Sequence, residues 1–327
     1  MIKINSIILN VALVFSIGLI CTSCLDEIEI PGNDNSKYNT IYMPQAYNNP
    51  NVVELKYEDT VQKVIYGAYF GGYGYPAQDI EVQFEVDESL VVLFNEANGS
   101  NYDILPSESY SIANAAQIVK GGLSTEPLKV SVNPVQGKLK LFKKYLLPIS
   151  IKSASSAYSI NPNLNTSYFV VSTSLDYSDY PEFDRTNWTA IASSEEPAES
   201  NEEFPNNGLA LAAIDDALNS FWHTKWSGGN DPLPYVLTID MNESREVHGF
   251  SLFARQSEGG GKPRNIILEV SEDGETWIKV KETILQNIQD EQRFFVDVFV
   301  KGRYLKMTVN STYNDENYTH LANVHAF

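Results

Sequence analysis

Between Tyr38 and Thr173 apolar and polar residues alternate with period two rather than 3.6. Residues 79–86 send Ile80, Val82, Phe84 and Val86 to one face and Asp79, Glu81, Gln83 and Glu85 to the other, the pattern of a half-buried strand. Leu128, Val130 and Val132 repeat that spacing, as do Leu147, Ile149 and Ile151, while Tyr168-Phe169-Val170-Val171 reads as a strand buried on both faces. A short helix is predicted over 89–96, and the polar, turn-forming stretch 176–184 reads as a linker. Beyond it come further short runs at 235–239, 247–254, 265–270, 277–280, 294–300 and 304–309. Ser271-Glu272-Asp273-Gly274 is a hairpin connection, because Asp-Gly accepts the positive φ of a tight turn. The pattern predicts an all-β chain of two β-sandwich domains, 37–175 and 187–327, joined by a linker over 176–186.

Ahead of the first strand the pattern changes. Residues 7–20 are almost unbroken apolar sequence behind a short basic start. A run of about 14 residues is too short for a membrane span and has the length of a signal-peptide core. It ends at Cys21-Thr22-Ser23-Cys24, which resembles the lipobox of bacterial lipoproteins. Small Ser23 before Cys24 fits that site better than bulky Ile20 before Cys21. The resemblance implies a signal peptide over 1–23 and a mature chain lipidated at Cys24. A tether follows over 24–36. Its Asp26, Glu27 and Glu29 resemble a surface-export signal, which implies attachment to outer-membrane lipid and display on the surface of a Gram-negative cell. Cys21 and Cys24 are the only cysteines, so no disulfide framework and no thiolate metal site is expected.

A formal charge of −19, with no cluster of Lys and Arg, opposes nucleic acid or anionic lipid as a partner, since both need phosphate neutralisation. A neutral ligand suits this surface. The strings Tyr66-Gly67-Ala68-Tyr69-Phe70-Gly71-Gly72, Asn101-Tyr102-Asp103-Ile104-Leu105-Pro106 and Tyr145-Leu146-Leu147-Pro148-Ile149 resemble an N-terminal domain of unknown function found in surface lipoproteins of polysaccharide-utilisation systems. It also precedes some endo-β-N-acetylglucosaminidases. That resemblance, over roughly 35–175, implies an Ig-like sandwich acting as spacer or docking module. It assigns no site, and Tyr69, Tyr73 and Tyr75 are read as turn and packing residues.

The second half carries a more specific likeness. Ala213-Ile214-Asp215-Asp216-Ala217-Leu218-Asn219-Ser220-Phe221-Trp222-His223-Thr224-Lys225-Trp226 resembles the signature turn of discoidin, or coagulation-factor 5/8 type C, domains. The match continues through 234–240, 252–255, 270–277 and 302–306. It implies a discoidin-like jelly roll. In galactose-binding members, grouped as family 32 carbohydrate-binding modules, a His and a Trp three residues apart face an Arg at a strand end. His223, Trp226 and Arg255 match in type, order and spacing. An indole stacks on the apolar face of a pyranose, and a guanidinium donates to neighbouring hydroxyls. Asn206, in Asn206-Asn207-Gly208, stands where the family often has a sugar-binding Glu. Trp188, Trp222 and Trp277 are expected in the core.

The same family carries a structural calcium held partly by an Asp two residues after the first Asp of the turn and by a Glu near the C-terminus. Those positions are Ala217 and Asn323. Without both carboxylates most of the charge a calcium site requires is gone, so no cofactor is expected. The four histidines have no zinc spacing, and no nucleophile elbow or phosphate-cradling glycine loop occurs. The chain is therefore expected to be no enzyme. It reads as a surface lipoprotein that binds glycan, galactose-type or related, beside neighbouring glycan-uptake proteins. The alternative is an adhesin or assembly subunit that binds protein through its sandwiches. For the anchor, Cys24→Ala is expected to move the full chain from the membrane fraction to the soluble fraction and to abolish fatty-acid labelling. A variant still held in membranes refutes the assignment of Cys24.

Overall fold

The computed structural model describes residues 38–155, 158–256 and 259–327. The leader, Cys24 and the tether lie outside the described residues. The chain divides into two compact units, one of residues up to Val53 with 61–132 and 145–171, the other of 54–60, 133–144 and 172–327. Among the described residues no helix is long and apolar enough to cross a membrane.

In the first unit, strands run in the order Asn51–Lys56, Thr166–Ser174, Tyr145–Ala154, Ile80–Val86 and Ala115–Ile118. Ile80, Val82 and Phe84 are buried and Glu81 is exposed, as the alternation requires. A three-stranded sheet, Gln62–Tyr66, Leu128–Val132 and Tyr110–Ile112, supplies the second layer. Tyr66 meets Phe84 edge to face at 5.3 Å between centroids, closing the core across the layers. Tyr145–Ala154 is the central strand, and residues 145–151 are buried without interruption. Its neighbours on both edges and the helix Ser89–Asn98 over Leu146 leave it no wet face. That helix ends at Gly99, in the left-handed region at φ 62°.

The second unit is built on a sheet ordered Thr189–Ala192, Tyr235–Phe253, Gln292–Thr312, Pro263–Ser271, Ile278–Ile284, with Asn323–Ala326 also paired to Tyr235–Phe253. Runs read separately in sequence merge here. The segments at 235–239 and 247–254 are one long strand, as are 294–300 and 304–309. Their register breaks between Asp240 and Arg245 and again between Val247 and Gly249, so the strands bend where the hydrophobic alternation lapses. At the Asp273-Gly274 turn, Asp273 accepts from Glu275 N at 2.9 Å and Thr276 N at 2.7 Å, with Gly274 at φ 78°. Trp188 and Trp222 are core residues. Trp277 is not, contrary to expectation. It is half-buried with the Lys306 ammonium 4.1 Å from its ring, and the cation needs water access that a core position denies.

The predicted linker is largely annexed by this unit. Tyr177 stacks on Phe295 with centroids 4.4 Å apart, Phe183 N donates to Ala326 O at 2.9 Å, and Arg185 is buried. Polarity marked the segment as a turn; its aromatic rings decided where it packs.

The C-terminal Phe327 is fully buried over Gly249. Their backbones exchange Phe327 N to Gly249 O and Gly249 N to Phe327 O, both 3.1 Å. A Cβ at position 249 would stand 2.2 Å from the Phe327 ring. Gly249→Ala is therefore expected to cost about 1–3 kcal/mol by overpacking. The check is denaturant unfolding of the variant, and a midpoint equal to wild type contradicts this packing.

Candidate carbohydrate-binding site

The site begins with a two-residue strand. Trp222–His223 pairs with His320–Leu321. Trp222 turns inward, fully buried, and its indole N–H donates to Ser194 O at 2.9 Å. Phe221 and His223, one residue either side, turn to the opposite face, where their rings lie 6.3 Å apart. The Arg255 guanidinium, just past the end of Tyr235–Phe253, stacks on Phe221 with its Cζ 3.7 Å from the ring centroid. Stacking engages the plane of the guanidinium and leaves its N–H edge for other partners. No hydrogen-bond acceptor holds that edge among the described residues.

His223 lies at the base of the site, only 4% exposed. Its ring lies nearly parallel to Tyr318 at 5.2 Å, with His320 tilted at 5.6 Å. Nδ1 is 2.6 Å from Thr224 O. A carbonyl only accepts, so the proton sits on Nδ1 and Nε2 keeps its lone pair. Burial is the chief reason that the His223 pKa falls below the usual imidazole value, with the Thr224 carbonyl and Glu199 opposing. The ring is accordingly neutral at pH 7.

Trp226 is the open member, 46% exposed. Two carboxylates hold it. Its indole N–H donates to Glu199 Oε1 at 3.1 Å and its backbone N–H to Glu196 Oε2 at 2.9 Å. Glu196 is buried and also accepts from Ser227 N at 2.6 Å, Ser227 Oγ at 2.7 Å and Ala198 N at 3.2 Å. Burial alone raises its pKa, but the donors of Ser227, Trp226 and Ala198 outweigh it and hold the carboxyl at about 2. Gly208 lets the segments meet. It adopts φ 83°, donates to Phe221 O and accepts from Glu196 N, and a Cβ there would stand 1.9 Å from Glu196 O.

Glu199 ties the members together. It is hydrogen-bonded to Trp226 and acts electrostatically on both His223 and Arg255. His223, Trp226 and Arg255 thus share one neighbourhood, whereas Asn206 does not enter it. Asn206 borders a different hollow with Arg185, Trp188, Asp215 and Asp216. Its neighbour Asn207 is the residue turned toward the strand, accepting from Phe221 N at 3.2 Å, and adjacent side chains on this turn diverge. The carboxylate next to Trp226 is that of Glu199. Sequence reasoning missed Glu199, Phe221 and Tyr318. Glu199 sits in the acidic run Glu195-Glu196-Pro197-Ala198-Glu199, which carries no motif, and Phe221 is an undistinguished member of the string 213–226.

Because the folded pKa of Glu196 lies below its ordinary value, its stabilisation is complete above the unfolded pKa and is lost as pH falls toward the folded one. Glu196→Gln places an amide N–H₂ against N–H groups that need an acceptor, an expected cost of about 1–3 kcal/mol near neutral pH. That deficit is expected to shrink as pH falls from about 5 to about 2. Thermal unfolding across pH measures it. A pH-independent difference between variant and wild type would show that the ionised carboxylate is not what holds the loop.

The sequence from 189 to 324 matches the F5/8 type C domain model, and a model of a family of N-terminal domains matches 35–157. Galactose oxidase of Gibberella zeae is 26% identical over 146 residues, which are 44% of this chain and 20% of that protein. The chain thus spans about a fifth of the length of that curated relative. Among solved structures, a family 32 carbohydrate-binding module from Clostridium perfringens, in complex with GalNAc-β-1,3-galactose, is 26% identical. It covers 45% of this chain and 99% of its own, with a TM-score of 0.41. The family 32 module of NanJ from C. perfringens, in complex with galactose, is 23% identical over 44% of this chain and 96% of that one, with a TM-score of 0.38. Behind a separate N-terminal domain, residues 189–324 of this chain belong to the F5/8 type C domain family.

Proposed function

We propose that this protein binds carbohydrate without chemistry, at the surface formed by Trp226, Arg255, His223 and Glu199. One observation carries the reading: Glu199 links a half-exposed indole, which it holds by a hydrogen bond, to a guanidinium that lies over Phe221 and has no hydrogen-bond acceptor among the described residues. A pyranose answers both, with an apolar C–H face for the indole and vicinal hydroxyls for the guanidinium edge. Glu199 accepts a hydroxyl proton at the rim, and Nε2 of His223 accepts from below. A carboxylate at the rim and a formal charge of −19 select a neutral sugar over an anionic one. The match of His223, Trp226 and Arg255 in type, order and spacing to galactose-binding relatives supports a galactose-type glycan. An aromatic contact of about 0.5–1.5 kcal/mol and charge-assisted hydrogen bonds of about 1.5–3 kcal/mol, set against association entropy, place affinity on the order of 0.1–1 mM per site.

Weak sites of this kind act through many copies on one surface. The proposed lipid anchor at Cys24 provides that display, and the protein then retains oligosaccharide for neighbouring uptake proteins. The test is a glycan array followed by calorimetry with the full chain and its variants. Trp226→Ala is expected to weaken glycan binding by about twofold to tenfold and Arg255→Ala by at least about tenfold, while Trp226→Ala, at a half-exposed side chain, leaves the melting temperature near wild type. Glycan binding unaffected by either substitution overturns the site. Co-purification with membrane proteins that survives both, without any glycan bound, favours the protein-binding alternative.

A further inference from the structure

The turn that precedes the site contains a second buried charge, which the carbohydrate reading does not use. Arg185 is buried, its side chain only 3% exposed. Its Nη1 donates to Asn323 Oδ1 at 3.1 Å and to Val324 O at 2.9 Å, and its Nη2 pairs with the Asp216 carboxylate. Around it the other groups of the turn are already engaged. Asn323 Nδ2 donates to Ala217 O at 3.2 Å, and Ser220 Oγ lies 3.0 Å from the same carbonyl. Both oxygens of Asp215 accept from Ser220 Oγ at 2.8 Å, and Oδ1 also accepts from Ala217 N at 3.0 Å.

This donor set does not fit the calcium that the family resemblance implies. A calcium ion takes six to eight oxygens, several of them carboxylate. Here position 217 has no side-chain oxygen, and position 323 offers an amide whose oxygen already accepts from a guanidinium. A divalent cation in the same place would meet a full positive charge at hydrogen-bond distance from the atoms it needs. Among the described residues no three His, Cys, Asp or Glu side chains are grouped as a metal site.

We infer that the Arg185 guanidinium is the built-in cation of this turn, joining residues 215–220 to the C-terminal strand Asn323–Ala326 and setting the start of the site-bearing loop without a metal ion. The cation comes from the segment just ahead of the domain's first strand, so the connection between domains is part of the second domain's structure. A planar donor fork suits the job. Its Nη1 serves a side-chain amide and a backbone carbonyl while Nη2 faces a carboxylate, a division of partners that a single ammonium does not offer. The Asp216 backbone, at φ 66°, lies in the left-handed region, where Asp is among the few tolerated side chains. Its carboxylate is thereby carried to Arg185.

The test is thermal unfolding of the full chain, which needs no sugar and so stands or falls apart from the glycan reading. Wild type is expected to melt at the same temperature in excess EDTA and in millimolar calcium chloride. Arg185→Met keeps the aliphatic stem but removes the charge and its three contacts, and is expected to lower the melting temperature of the second domain by roughly 5–15 °C. Arg185→Lys, which keeps the charge and loses the fork, is expected between the two. A wild-type melting temperature raised by calcium and no longer raised in Asp216→Asn overturns the inference. So does Arg185→Met melting with wild type. If Arg185→Met does not fold, the wild-type calcium comparison and the lysine variant still decide the matter.

Discussion

The candidate site depends on one buried carboxylate. Glu196 is removed from water, which by itself disfavours its charge, yet the donors of Ala198, Trp226 and Ser227 converge on it and keep it ionised. Two of those donors are consecutive backbone N–H groups of the loop that carries the exposed indole. No sheet ladder pairs these amides, so without an acceptor they would be orphaned where the loop turns away from the strand. Through Gly208, the same residue is also fastened to Phe221, which leads into the strand Trp222–His223. The orientation of Trp226 is therefore a consequence of electrostatics at a residue that touches no ligand in the proposed mode.

Much of this was legible in the amino-acid order, and the limits have physical causes. Period-two alternation exposed the strands because one face is wet, as at 80–86. It was mute on where strands join, since a register break in a long strand and a turn between two short ones interrupt the alternation alike. His223, Trp226 and Arg255 were singled out by a family resemblance, and the structure sets all three within the reach of Glu199. Asn206 was misplaced because adjacent residues of a tight turn diverge, and one-dimensional position does not say which of the two faces the strand. Glu196 and Glu199 carry no signal at all. One is buried and holds the backbone of Trp226 and Ser227, the other accepts from the Trp226 indole, yet in sequence both belong to one acidic stretch.

The aromatic-glycine strings of the first unit show the reverse situation, in which conspicuous residues are explained by packing. Gly71 lies beneath the Tyr42 ring, where a Cβ would come within 2.8 Å, and Tyr73 N donates to buried Asn39 Oδ1 at 3.0 Å. The glycines are there because another side chain crosses the backbone closely. Tyr73 and Tyr75 themselves are 76% and 65% exposed, but among the described residues no hydrogen bond fixes a polar group to either ring as Glu199 is fixed to Trp226. An aromatic surface without fixed polar partners offers contact area but no means of telling one sugar from another.

The segment 215–227 is thus held at its two ends by single buried charges of opposite sign, Arg185 at the turn and Glu196 at the loop. Neither is matched by a simple ion pair of equal burial. The Asp216 partner of Arg185 is exposed, and Glu196 is neutralised by amide dipoles. Replacing a whole buried polar arrangement by apolar packing is often neutral, whereas removing one member strands the groups it served, so single substitutions destabilise even where the arrangement as a whole adds little. What it does contribute is directionality. An apolar contact tolerates rotation and sliding, whereas a guanidinium fork and a carboxylate with fixed donors accept one geometry. For a module that must hold a flat ring and a donor edge in register across a loop and a strand end, with no disulfide available to either, that directionality is what turns a turn sequence into a binding surface.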